Sequence, residues 1–145
     1  MIKIICFGKI KEKYLKDLIN DYEKRINKYH KIEIIELKDN DDIKKETSDL
    51  LKIFNNKDYN IALCIDGKNY DSLNFSSHID NLFNHNSTIT FIIGGSNGLE
   101  DVIINMCDEK LSFSKFTFPH GLFRGILLEQ IYRSFKINNN ERYHK

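Results

Sequence analysis

The stretch Thr88-Ile89-Thr90-Phe91-Ile92-Ile93-Gly94-Gly95-Ser96-Asn97-Gly98, residues 88–98, decides the fold class of this chain. Its first half, Thr88–Ile93, is apolar on both faces of an extended backbone, which is typical of a strand buried within a parallel sheet. The helical pattern that follows has apolar positions at Leu99, Val102, Ile103 and Met106. A buried strand, a glycine-rich turn and an amphipathic helix in this order predict one β–α unit of an α/β protein.

Similar units surround this one on both sides. Further strands are predicted at Ile2–Phe7, Ile32–Leu37, Asn60–Ile65 and Lys110–Phe113, with the third closed by the turn pair Asp66-Gly67. Helical spacing occupies residues 14–29, 39–56, 72–85 and 120–137, and a polar tail follows at 138–145. We therefore expect a single domain over residues 1–145, with a mostly parallel five-stranded sheet and helices on both of its faces.

Composition excludes several classes of protein. The chain has 145 residues, of which 41% are apolar and 30% charged, as in soluble globular proteins. No apolar stretch approaches the roughly 20 residues that span a bilayer, and the apolar start at Met1–Gly8 is typical of a strand rather than a signal peptide. Three widely spaced cysteines indicate free thiols in the cytoplasm, and five scattered histidines give no metal-ligand spacing.

The charge of the chain is unevenly distributed along it. Residues 1–31 have an excess of five positive charges, residues 32–109 an excess of nine negative charges, and residues 110–145 again an excess of five positive charges. If the two basic ends meet in the fold, they form a surface that attracts phosphates. On charge alone, an ordinary solvated surface is the simpler interpretation.

Two loops are candidates for ligand binding, because ligands of open α/β sheets bind beyond the carboxyl ends of the strands. Gly94–Gly98 has three glycines in five residues, more than a tight turn requires, and it matches neither a dinucleotide fingerprint nor a P-loop. Ser114–His120 contains Pro119, the only proline, and can offer stiff main-chain groups to a heteroaromatic ring. The segment Leu63–Lys68 is a third, less distinctive loop.

The last helix is apolar over well over half of its circumference. A helix that packs on one side alone shows a stripe of roughly 100°. We expect a partner subunit to cover the second face; the alternative is a helix sandwiched between elements of its own chain.

Several strings, in register along the chain, resemble the ribosomal RNA large-subunit methyltransferase H family. They are F-I-I-G-G-S-N-G-L (91–99), L-S-F-S-K-F-T-F-P-H (111–120), E-Q-I-Y-R-S-F-K-I (129–137) and the terminal Y-H-K, with G-K-I-K-E-K-Y (8–14) and Y-E-K-R-I (22–26). The resemblance covers nearly the whole chain and is loosest at residues 38–58, a segment that is short for the family.

The resemblance implies the fold and activity of the SPOUT methyltransferases. These have a trefoil knot near the carboxyl end, act as homodimers and bind S-adenosylmethionine in a bent shape. Members of the methyltransferase H family methylate N3 of a pseudouridine in large-subunit ribosomal RNA on assembled ribosomes, without a metal. The resemblance implies the same activity for this chain. The cofactor-binding residues implied here are Leu63, Gly94, Gly95, Gly98, Ser114, Lys115, Phe116, Thr117, Phe118 and Pro119.

The base or cation that the methylation needs is sought beside these loops. The candidates are His120, Arg124, Tyr143 and His144, and surface packing or phosphate contact is the alternative role for each. We expect the tail to reach the pocket of the partner subunit. A SPOUT enzyme acting on transfer RNA and a ribosome-binding module without catalysis are the alternative functions.

Overall fold

All five strands form one parallel sheet. In the computed structural model, which describes residues Met1–Lys145, the strand order is β2-β1-β4-β3-β5 and every neighbouring pair is parallel. The strands are β1 (Ile2–Phe7), β2 (Ile32–Leu37), β3 (Tyr59–Asn69), β4 (Ile89–Ile92) and β5 (Glu109–Ser112). The helices are α1 (Lys13–Ile26), α2 (Ile43–Ile53), α3 (Ser72–Phe83), α4 (Asp101–Met106) and α5 (His120–Asn138). The predicted α/β class is confirmed.

Helices cover both faces of the sheet, as the sequence predicts. In β1, Ile2 and Ile4 face a large core shared with α1, α3 and α5, whereas Ile5 and Phe7 face a smaller core shared with α2 and α4. All four side chains are at most 6% exposed. Burial on both faces explains why β1 is a continuous apolar run rather than an alternating one.

The predicted turn at Asp66-Gly67 is wrong. β3 continues to Asn69, and its pairing with β5 shifts register so that both Leu63 and Lys68 pair with Leu111. The residues between them bulge out of the sheet. A Cβ at Gly67 would lie 2.7 Å from the main chain of Leu111, so a glycine is required for this close approach. The turn pair therefore forms a bulge within a strand instead of ending one.

The breadth of the apolar surface on α5 is explained within the chain. This helix lies between α1 and α3 and contributes to the large core, with Leu127, Leu128 and Ile131 fully buried. The alternative of a helix sandwiched by its own chain thus accounts for most of the pattern. Leu122 is 38% exposed near the start of the helix. Homodimer formation and the trefoil knot remain predictions that rest on the family resemblance.

Two shorter helices are less regular than their sequences predict. α2 begins at Ile43, after Asp42, whose side chain accepts a hydrogen bond from the N–H of Lys44 at 3.0 Å. α4 is a helix of six residues in which only Ile103 is buried. Val102 and Met106, predicted to face the core, are 49% and 43% exposed, because a helix this short presents little more than one side chain to the sheet. None of the five helices has the length and hydropathy that crossing a bilayer requires.

The contrast between two phenylalanines tests where the core lies. Phe91 in β4 is fully buried, whereas Phe116 is 79% exposed. For the unfolding of a single subunit, we expect Phe91→Ala to lower the free energy of unfolding by about 3–5 kcal/mol, because it leaves a cavity, and Phe116→Ala to change it by less than about 0.5 kcal/mol. Urea denaturation of both variants measures the difference; equal effects would contradict this assignment of the core.

Candidate cofactor and RNA-binding site

The main candidate site is a cavity of about 170 Å³ at the carboxyl edge of the sheet. Three segments build it: the bulge of β3, the loop after β4 and the loop after β5. They meet because β3, β4 and β5 are parallel neighbours, so their carboxyl ends share one edge. The lining residues are Leu63–Ile65, Ile93–Gly95, Gly98, Leu111–Ser114, Phe116–Phe118, His120 and Phe123.

Most of the predicted site residues lie together here. Those that line the cavity are Leu63, Gly94, Gly95, Gly98, Ser114, Phe116, Thr117, Phe118 and His120. Lys115 and Pro119 belong to the same loop but do not line the cavity. Arg124, Tyr143 and His144 lie elsewhere in the chain. The structure thus separates a compact cofactor-type pocket from three of the four predicted catalytic residues.

The loop after β4 turns sharply on itself. The N–H of Gly98 donates to the carbonyl of Gly95 at 2.9 Å, and Gly98 has a positive φ of 75°. A Cβ at Gly94 would lie 2.6 Å from the carbonyl carbon of Gly98, so a side chain there would force the loop open. The N–H of Gly94 donates to no acceptor within the chain, whereas Gly95 and Gly98 form an antiparallel bridge with each other. This loop can therefore present the bare N–H of Gly94 to a ligand.

The loop after β5 has the same property. Ser114 organises it, since its hydroxyl accepts from the N–H of Phe116 at 3.0 Å and its carbonyl accepts from the hydroxyl of Ser112 at 3.2 Å. The N–H groups of Thr117 and Phe118 have no acceptor in the chain. Pro119 precedes α5, and its carbonyl accepts the N–H of Phe123 at 2.9 Å. Stiff backbone with free donors beside aromatic side chains suits a flat heterocycle.

Aromatic and sulfur side chains form the walls. Phe123 packs edge-on against Phe113 at a centroid distance of 5.3 Å and stacks on Phe118 at 5.9 Å. Burial raises the pKa of the Cys64 thiol, so this thiol stays protonated at neutral pH and is a poor nucleophile. Non-covalent binding is therefore the chemistry that the walls favour. No cluster of three or more histidine, cysteine, aspartate or glutamate side chains is arranged to hold a metal ion.

Arg124 is turned away from this cavity. Its side chain is 3% exposed and forms an ion pair with Glu36 at the end of β2. A second nitrogen, Nη2, donates to the carbonyl of Gly8 at 3.2 Å. Arg124 instead lines a separate polar cleft with Lys9 and Lys16. In this arrangement the guanidinium connects α5 to the ends of β1 and β2. The catalytic role of Arg124 remains a prediction from the sequence.

The tail folds back on its own chain. The hydroxyl of Tyr143 donates to Glu129 at 3.1 Å and lies 3.2 Å from that of Tyr22, and Nδ1 of His144 is 3.0 Å from Arg133. Burial raises the pKa of Tyr143, so its hydroxyl does not act as a base at neutral pH. These contacts hold the tail on α1 and α5, away from the cavity of the same chain. Any catalytic contact made by the tail must therefore be with another molecule.

Sequence reasoning missed part of the lining. Ile65, Ile93, Leu111, Phe113 and Phe123 are ordinary apolar positions in the sequence, yet each faces the cavity. For four of them the available signal was position: Ile93, Leu111 and Phe113 lie at or next to the carboxyl ends of β4 and β5, and Phe123 lies in the first turn of α5. The bulge that carries Ile65 had no signal of its own, because Asp66-Gly67 is equally typical of a turn.

Comparison with known proteins assigns the chain to a family. The family described as "Predicted SPOUT methyltransferase" matches residues 1–144. The chain is 50% identical to Ribosomal RNA large subunit methyltransferase H of Fusobacterium nucleatum, and 45% identical to the protein of that name from Clostridium acetobutylicum. Each alignment covers 99% of this chain and 99% of the relative.

Solved structures share the fold at low sequence identity. The SpoU methyltransferase AviRb of Streptomyces viridochromogenes, solved in complex with AdoMet, superposes with a TM-score of 0.50 at 9% identity. The superposition covers 94% of this chain and 60% of that one, so this chain spans well under two thirds of AviRb. At this identity the likeness concerns the fold alone. On the full-length sequence matches, the chain belongs to the SPOUT methyltransferases, among the ribosomal RNA large subunit methyltransferase H proteins.

Proposed function

We propose that this protein methylates N3 of a pseudouridine in large-subunit ribosomal RNA, with S-adenosylmethionine as the methyl donor. The observation that carries the proposal is the meeting of three strand-end segments, two of which offer unbonded main-chain N–H groups, around one apolar cavity. The full-length matches to the methyltransferase H proteins support the choice of RNA. Residues 1–145 act as one domain, in the cytoplasm, where assembled ribosomes are found.

The cavity fits the adenosine part of this cofactor. Free N–H donors at Gly94, Thr117 and Phe118 can bond the heteroatoms of an adenine and its ribose, while aromatic walls contact the faces of the ring. When bound, S-adenosylmethionine supplies an electrophilic methyl group on a sulfonium. The protein contributes position, because a methyl displacement needs the nucleophile in line with the bond that breaks.

The nucleobase must lose the proton of N3 as the new C–N bond forms. His120 is the candidate base that lies at the cavity, in the first turn of α5. The imidazole of His120 would accept the N3 proton, directly or through water, as the bound cofactor supplies its methyl group.

We also propose that the active site is shared between two subunits. Tyr143 and His144 are turned away from the cavity of their own chain, and no lysine or arginine lines that cavity. Exposed apolar side chains lie around its mouth, with Phe116 79% and Ile65 57% exposed. A second copy docking there would bury them and bring its basic tail, Arg142–Lys145, to the RNA.

A substitution in the glycine loop tests the cofactor site. Wild-type protein should bind S-adenosylmethionine in the micromolar range, about −8 kcal/mol. Gly94→Ala should weaken binding at least about tenfold, because its Cβ would collide with the main chain of Gly98. Calorimetry measures both. Lys24→Ala is the control, since Lys24 is an exposed side chain on α1 that does not line the cavity, and it should change affinity by less than about twofold. Unchanged binding by a folded Gly94→Ala protein would exclude this loop.

The RNA substrate is tested by transfer of labelled methyl groups. Assembled ribosomes, isolated large subunits and bulk transfer RNA are incubated in parallel with enzyme and labelled cofactor. We expect label in ribosomes, located at N3 of a pseudouridine after nucleoside digestion. Label in transfer RNA alone would favour the transfer RNA enzyme, and cofactor binding without transfer to any RNA would favour the ribosome-binding module.

Mixed dimers test the shared site. His144→Ala should abolish methylation and leave cofactor affinity unchanged, whereas Gly94→Ala should lose both. If the tail acts on the partner, co-expression of the two variants restores about a quarter of the activity, because half of the dimers carry one intact site. Unchanged cofactor binding by the His144→Ala protein controls for its fold. No recovery from mixing, or a monomer in sedimentation at micromolar concentration, would contradict the shared site.

A further inference from the structure

Glu46 is a buried carboxylate for which the proposed reaction has no role so far. It lies in the first turn of α2, 3% exposed, with Oε2 accepting the N–H of Asn40 at 3.0 Å. Its second oxygen, Oε1, is buried and has no hydrogen-bond partner. A buried acceptor with no partner costs free energy, more so when the group is charged. Such a residue is expected where its charge serves a ligand.

No cation compensates this carboxylate. Glu46 takes part in no ion pair, and two of the positive side chains on neighbouring segments are paired with other carboxylates. Lys44, two residues away, lies 3.6 Å from Glu100, and Arg124 pairs with Glu36. The hydrogen bond from Asn40 is of the charge-assisted kind that stabilises an ionised carboxylate. Glu46 is therefore a buried carboxylate that is stabilised by one N–H and the start of α2 and is paired with no cation.

This charge lies directly behind the cavity wall. A Cβ at Gly95 would be 3.0 Å from Oε2 and 3.3 Å from Oε1 of Glu46, so the carboxylate fills the space where a side chain at that position would be. Gly95 itself lines the cavity. Only the main chain of the glycine loop therefore separates the carboxylate from a ligand bound there. Little water intervenes, and electrostatic interaction is stronger in such surroundings than in solvent.

We propose that Glu46 selects the charged cofactor over the neutral product, an inference that rests on the proposed function. S-adenosylmethionine carries a positive sulfonium, which S-adenosylhomocysteine lacks after the methyl group has been transferred. The two ligands are otherwise nearly the same in shape and hydrogen bonding. A fixed negative charge behind Gly95 attracts only the first, so it favours loading of the cofactor and release of the spent product. Glu46 is thus a positioning and specificity residue that acts through the glycine loop.

Removal of the charge without change of shape tests this inference. Glu46→Gln keeps an oxygen for the N–H of Asn40 and removes the charge. We expect it to weaken S-adenosylmethionine binding about fivefold to tenfold and to change S-adenosylhomocysteine binding less than about twofold, by calorimetry. Sinefungin, which carries an amine in place of the sulfonium, should behave like S-adenosylmethionine. Glu33→Gln, which removes an exposed carboxylate on β2, should leave the ratio of the two affinities unchanged.

A second pair of variants separates charge from packing. Glu46→Asp and Glu46→Asn shorten the side chain equally, and only the first keeps the charge. The affinity ratio should stay near the wild-type value in Glu46→Asp and fall in Glu46→Asn. Equal weakening of both ligands in the neutral variants, or an unchanged ratio, would overturn the inference and leave the cofactor site intact. If wild-type protein binds neither ligand, the proposed function itself fails.

Discussion

Burial of the central strands on both faces is the constraint on which this structure depends. β1 and β4 have apolar side chains on each side of the sheet, and almost every one of them is out of solvent. Each face must therefore be covered by helices, and a short chain can do so only by crossing over the sheet between successive strands. Such crossovers make the strands parallel, and parallel strands place all of their carboxyl ends at one edge.

That edge explains why the site is built mainly from backbone. Loops leaving β4 and β5 have no further strand to pair with, and the N–H groups of Gly94, Thr117 and Phe118 remain free where the cavity forms. In a fully packed core such groups would be costly. Here they are retained beside an apolar cavity, an arrangement that a bound heterocycle would complete. The bulge of β3 adds the third wall because it displaces a few residues out of the sheet next to β5.

Two buried charged side chains, Arg124 and Glu46, lie near this edge and differ in their hydrogen-bond partners. Arg124 leaves its Nε without a hydrogen-bond partner, but its other two nitrogens bond Glu36 and main-chain carbonyls, so it stabilises the joint between α5 and the strand ends. Glu46 is equally buried, but a single N–H is its partner. A paired buried charge can be understood from the fold alone, whereas an unpaired one calls for a ligand. The tail differs from both, because its tyrosine and histidine already have partners on the surface of their own chain.

The sequence by itself determined the strands, the parallel α/β class and the two principal loops of the cavity, because these depend on local periodicity and on glycine and proline. β1 and β2 have the predicted bounds, Ile2–Phe7 and Ile32–Leu37. Only the tertiary structure decided that Asp66-Gly67 is a bulge, that α5 is covered by α1 and α3, and that Arg124 faces Glu36 rather than the cavity. Each of these depends on which distant elements become neighbours, and that is decided by packing across the whole sheet rather than by any short stretch of sequence.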